Sequence, residues 1–216
     1  MKRRSILSTG FILTISGCAD LLGGGEDGAE DSGEDGVGDG GDNDAGDEGD
    51  NNESPIDPDE VDTSSVLPEI TDLPNGYERG SESEQHHSEL DTKSQEEFER
   101  QGILIRHERS FTYEAKGEDF PPIISTVILI YDAIPAANRG IEEITEGPDQ
   151  FETTTEEDEL AAGFETLRVT FENDRGEQVS LLVYRDRNIV LYVTTLGESG
   201  EEIKKELLVN MIGDYA

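Results

Sequence analysis

The chain has 216 residues, with 52 Asp plus Glu against 16 Lys plus Arg and a formal net charge of −36 at pH 7. Binding to phosphate backbones draws on clustered Lys and Arg, so this balance excludes a nucleic-acid partner, and an anionic membrane surface would repel the chain unless a lipid held it there. From Val66 onward, where almost all later apolar residues lie, 34 acidic residues still face 13 basic ones, a net charge of −21.

The first element is an export signal over residues 1–17. Lys2, Arg3 and Arg4 precede an apolar stretch from Ile6 to Ile15, and Ser16 and Gly17 follow. About 20 apolar residues are needed to span a bilayer, so the stretch is too short to be a stable transmembrane helix. Arg3-Arg4-Ser5-Ile6-Leu7 resembles the twin-arginine export motif, with Lys2 and Ser8 departing from its usual flanks. Ile15-Ser16-Gly17-Cys18 resembles a lipobox, which implies lipid attachment at Cys18. As the single cysteine, Cys18 has no partner for an intramolecular disulfide.

Residues 18–65 are expected to form a disordered acidic tether rich in Gly, Asp and Glu. No Lys or Arg occurs between Ser5 and Glu78, and there is too little apolar surface here to offset the entropy of ordering. Asp42-Asn43-Asp44-Ala45-Gly46-Asp47 resembles the start of a calcium loop, but Asp47 stands where the turn glycine is required. Asn52-Glu53-Ser54 is a glycosylation sequon with Asn52 as acceptor.

A folded domain is predicted over residues 66–216. Residues 92–101 read as a helix with Thr92 as N-cap and Gly102 beyond its end. Residues 103–113 alternate, placing Ile103, Ile105, His107, Phe111 and Tyr113 on one side. The almost continuously apolar run at 123–133 marks a central strand covered on both faces or nearly so. A helix over 135–146 buries Ala137, Ile141 and Ile144. Strands at 164–172, 178–185 and 189–196 form a meander joined by short turns, and Ser199 with Glu202 opens a terminal helix. A short strand near residues 76–79 completes the order. The fold class is therefore α+β: a two-layer sandwich of a mainly antiparallel sheet with helices packed on one face.

The whole chain has only five lysines, and with its acidic surplus the profile resembles that of haloarchaeal proteins. In molar salt the Debye length falls to about 3 Å and the self-repulsion of such a domain is largely screened. The element order over residues 73–216, with Val183-Tyr184-Arg185-Asp186-Arg187-Asn188-Ile189-Val190-Leu191-Tyr192-Val193, resembles the small α+β domains of extracellular lipoproteins related to the PsbP/Mog1 fold. That resemblance implies a fold and names no activity.

Chemistry is sparse. His86 and His87, flanked by Glu82, Glu84, Glu89 and Asp91, are the candidates for a metal site, although adjacent residues of an extended segment point apart. His107 falls among inward-facing residues. Arg106, Arg109, Arg168, Arg185 and Arg187 lie on or beside strands and would form a cationic site only by converging. No serine carries a recognisable nucleophile motif. The expectation is a monomeric, non-enzymatic lipoprotein on the extracellular face of the cell membrane. It is held by lipid on Cys18, needs no cofactor, and binds an envelope protein or a small ligand. The alternative is a metal-binding lipoprotein using His86 and His87.

Overall fold

The computed structural model describes residues 54–113, 120–147, 150–160, 163–197 and 199–215. Within them, seven strands form one antiparallel sheet: β1 (Tyr77–His86), β2 (Ile103–Tyr113), β3 (Ile123–Tyr131), β4 (Thr154–Glu159), β5 (Glu165–Glu172), β6 (Gln178–Asp186) and β7 (Ile189–Leu196). Their spatial order is β1-β2-β3-β7-β6-β5-β4. Four α-helices accompany them: α1 (Thr63–Val66), α2 (Thr92–Gln101), α3 (Ile134–Glu146) and α4 (Glu201–Tyr215).

Central strands β3, β6 and β7 carry apolar residues on consecutive positions, so each supplies two faces that need cover. One face presents Ile128, Ile130, Leu182, Ile189, Leu191 and Val193, which pack with Val66 and Leu67 of the N-terminal segment and Leu207, Leu208, Met211 and Ile212 of α4. The other presents Val127, Leu129, Leu181, Val183, Val190 and Tyr192, packed with Phe98 of α2 and Ala136, Ala137, Ile141 and Ile144 of α3. Helices therefore lie on both faces, which corrects the expected one-sided, two-layer arrangement. The physical reason was already present in the sequence: a strand buried on both faces cannot belong to a sheet covered on one.

Other departures have local causes. In β2 the register shifts between Ile103 and Ile105. One extra residue reverses the alternation, so Ile103 joins the α2–α3 core while Ile105 and Phe111 join the other. β1 runs ten residues where a short strand was expected, and β4 was not expected at all. Both are edge strands with mostly exposed, charged sequences, so neither carries the half-buried alternation that signals a strand. Asp91, not Thr92, caps α2, its side chain accepting from the backbone N–H groups of Lys93 and Ser94 at 3.1 and 3.3 Å. Gly102, at φ +73°, closes that helix in the left-handed conformation. At α4 the backbone of Gly200, rather than Ser199, accepts the first helical bond, from Lys204 N–H at 2.9 Å.

Packing begins ahead of Val66, the expected domain boundary. The Asn188 side chain, buried in the β6–β7 turn, accepts from Ile56 N–H at 2.7 Å and donates to Ile56 C=O at 3.1 Å. Ile56 and Val61 pack against the same core as α4. Residues 54–76 thus form a strap across one face before β1 begins.

Candidate functional site

A pocket opens on the α2–α3 face. Its floor is Leu129, Leu181 and Tyr192 from the sheet, and Gly140, Glu143 and Ile144 of α3, with Gly147 just past its end, form one wall at three- and four-residue spacing. Gln101, Ile103 and Arg106 close the opposite side, with Tyr131 and Phe171 at the ends. Phe171 is stacked on Phe151, ring centroids 5.7 Å apart. Arg106 is held at the rim by Glu108 at 2.9 Å, and Glu108 in turn accepts from Ser125 Oγ of β3 at 2.9 Å.

The pocket is partly open to solvent and its volume is about 110 Å³. Whole ligands of drug size occupy about 300 to 1,000 Å³, whereas a dry cavity of about 150 Å³ suffices for benzene. At less than that volume, the pocket suits a small branched aliphatic group. A larger depression of about 860 Å³ lies at the β4 edge, lined by Glu157, Asp158, Glu159 and Glu165. It includes Leu167 and Val183, which belong to one face, and Phe164 and Tyr184, which belong to the other, so it wraps around the sheet edge.

The opposite face carries a buried ionic network under the strap. His107, 2% exposed, places Nδ1 3.0 Å from Thr63 Oγ1 and Nε2 3.2 Å from Glu82 Oε1. Thr63 donates to Glu84 Oε1 at 2.9 Å, and His86 Nε2 contacts the same oxygen at 3.2 Å. Arg109, 3% exposed, donates to Glu82 at 2.6 Å, to the Leu67 and Pro68 carbonyls at 2.8 and 2.9 Å, and to Glu69 at 3.0 Å. Hydrogen bonding from Arg109, aided by that from His107, holds the Glu82 carboxyl below its ordinary value.

A third polar group lies beneath α4. Lys204, 2% exposed, donates to Ser180 Oγ and pairs with Glu201 at 3.0 Å. Burial, the largest influence, pushes the lysine below its usual range although Glu201 opposes it. A depressed lysine on a serine hydroxyl has the outline of a nucleophile with its base. Both side chains are buried between α4 and the sheet, and neither lines any of the pockets above.

The arginines do not converge. Arg109 serves the strap; Arg168 binds Asp158 and Glu201; Arg187 pairs with Asp186 and Tyr215; Arg106 stands at the pocket rim. His86 turns to Glu84, while His87 lies 3.4 Å from Glu99 of α2. Among the described residues, no group of three or more His, Cys, Asp or Glu is placed to hold a metal ion. Cys18, Arg3, Arg4 and Asn52 lie outside the described residues. Arg109 and Asn188 were not singled out as buried anchors. Arg109 shares the parity of Ile105, His107 and Phe111, which was a usable signal; Asn188 sits in a turn and offered none.

No family model matches this chain, and no curated protein matches it. Among solved structures, the extracellular domain of PknH from Mycobacterium tuberculosis is similar over 75% of this chain and 97% of its own length, at 9% identity and a TM-score of 0.49. A likeness that slight carries no argument about function. Among the described residues, no helix is long and apolar enough to cross a membrane.

Proposed function

We propose that this chain is a twin-arginine-exported lipoprotein of a high-salt environment, anchored through lipid on Cys18 to the extracellular face of the cell membrane. Its α+β domain acts as a non-enzymatic binding module. The observation that carries the binding role is the aromatic pocket between α2, α3 and the sheet, with Arg106 at its rim. At about 110 Å³ it receives one small apolar group, either an aliphatic side chain presented by an envelope protein or the branched end of a small ligand. The acidic N-terminal segment is a spacer that places this pocket away from the bilayer.

Titration with isobutanol in molar salt, followed by NMR, tests the pocket. Shifts confined to Tyr192, Leu129, Ile144 and their neighbours are expected, and Ile144→Trp, which fills the space, should abolish them while the helix and sheet signals persist. Shifts spread over the surface, or none, would refute the site. Detergent partitioning of wild type against Cys18→Ser tests the anchor independently, and equal partitioning would overturn it.

A further inference from the structure

Side chains alternate along a regular strand, so Ile103 and Arg106, three positions apart in β2, would lie on opposite faces of the sheet. Both line the same pocket, because the register shift between Ile103 and Ile105 turns the strand over and aims Arg106 at the α2–α3 face. Arg106 there stands opposite Leu129 of the pocket floor. Its guanidinium is tied in place: Nη2 donates to Glu108 at 2.9 Å, and Glu108 accepts at 2.9 Å from Ser125, which is 7% exposed. Across the cavity, Glu143 is the other charged residue that lines it, exposed on α3. The mouth of an apolar cavity thus carries one cation from the sheet and one carboxylate from a helix.

Given that the pocket is a binding site, we propose that its ligand is a free α-amino acid with a small branched side chain. The side chain enters the apolar cavity, Arg106 receives the carboxylate and Glu143 the ammonium. A planar guanidinium matches a carboxylate in geometry as well as charge. The size of the cavity, about 110 Å³, admits the branched end alone and leaves the charged head at the open mouth, where Arg106 and Glu143 stand.

The charge of the whole chain favours a zwitterion over either ion alone. With a net charge of −36, the protein opposes a simple anion, and a simple cation finds carboxylates over the whole surface. A ligand with both charges meets no net repulsion and is selected by the pairing of Arg106 with Glu143. Molar salt screens the long-range field, whereas contacts at a partly buried rim are screened much less. Glu108 offsets part of the Arg106 charge, and Gln101, on the same side of the mouth, is neutral. A peptide ending in the same residue would bring an amide in place of the ammonium and leave Glu143 without a cation.

The test titrates the full chain by NMR, in molar salt at neutral pH, with probes that share one isopropyl group: isobutanol, isobutyrate and L-valine. All should shift Leu129, Ile144 and Tyr192. Valine should bind about tenfold or more tightly than isobutanol, the scale of one hydrogen bond to a charged group, and more tightly than isobutyrate, which lacks the ammonium. Arg106→Gln should remove the advantage of valine and of isobutyrate over isobutanol. Because that change leaves Glu108 without its cation, Glu143→Gln, at an exposed helix position, is the second variant; it should bring valine down to the level of isobutyrate. Isobutanol shifting the pocket while valine binds no more tightly would overturn the amino-acid assignment and leave the pocket standing. Isobutyrate equal to valine in the wild type, or an advantage of valine that survives Glu143→Gln, would overturn it too. If isobutanol shifts nothing, the binding site and the assignment fall together.

Discussion

Lys204 shows how a single buried charge can be a cost. Its ammonium lies 2% exposed beneath α4, and desolvation outweighs the Glu201 contact in setting its proton affinity below the usual 10.5. A lysine with a depressed folded value weakens the fold wherever it must be charged, and that cost fades as pH climbs toward the unfolded value. Glu201 keeps Arg168 at 2.7 Å if the lysine is removed. Lys204→Met should therefore melt no lower than wild type at neutral pH, since apolar replacement of buried ion pairs is often neutral or stabilising by about 1 to 4 kcal/mol. Any advantage of the variant should shrink as the melts are repeated toward pH 10.5, the unshifted lysine value. A variant that melts well below wild type at pH 7 would show that the ion pair is worth more than the burial costs.

At the scale of elements, α3 sits close against the sheet because Gly140 has no side chain. A Cβ built there would come 2.1 Å from Tyr131 Oη and 2.6 Å from the ring carbon that bears it. On an exposed helix, glycine to alanine gains about 1 kcal/mol through propensity. Here the overlap decides the sign. Gly140→Ala should destabilise the domain by about 1 to 3 kcal/mol, the cost of overpacking a filled core. It should also disturb the pocket that Gly140 and Tyr131 both line. Thermal melting measures the first effect and isobutanol titration the second; a variant as stable as wild type would mean that Tyr131 moves freely. The same element shows the reach of periodicity: Ala137, Ile141 and Ile144 were readable as its buried stripe, but the contact that fixes its distance from the sheet involves a residue of β3.

For the whole molecule, charge and the strap set the conditions of stability. With −21 of formal charge from Val66 onward, self-repulsion should grow as salt falls from molar to about 0.1 M and the Debye length reaches about 10 Å. Circular dichroism across that range should show loosening, and a signal indifferent to salt would count against a high-salt habitat. The strap makes a second demand. A chain starting at Val66 lacks Ile56, Val61 and Thr63, leaving His107 Nδ1 and the Asn188 amide without those partners. It should be less stable than a chain starting at Ser54 by about 2 kcal/mol or more, since three hydrogen bonds worth about 0.5 to 1.5 kcal/mol each are lost. Limited proteolysis should accordingly yield a resistant fragment that begins before Ile56; a stable fragment starting at Val66 would show the strap to be dispensable.

Much of the architecture was legible in the chain because it rests on local physics. Hydrophobic period distinguished β2, β5, β6 and β7 from α2, α3 and α4, and Gly102 marked a helix end because its left-handed backbone favours glycine. The almost continuous apolar run of β3 even carried the two-sided burial that one-sided helix packing contradicts. Tertiary structure alone decided the rest. β4 and most of β1 are strands because neighbours supply their hydrogen bonds, not because their own residues alternate. Arg109, His107 and Thr63 meet only when β2 and the strap are brought together, and the pocket exists only where α3 stands off β3 and β7 beside α2. The strap contacts join residues 40 to 44 positions apart, and no spacing within a single element encodes the distance between two elements.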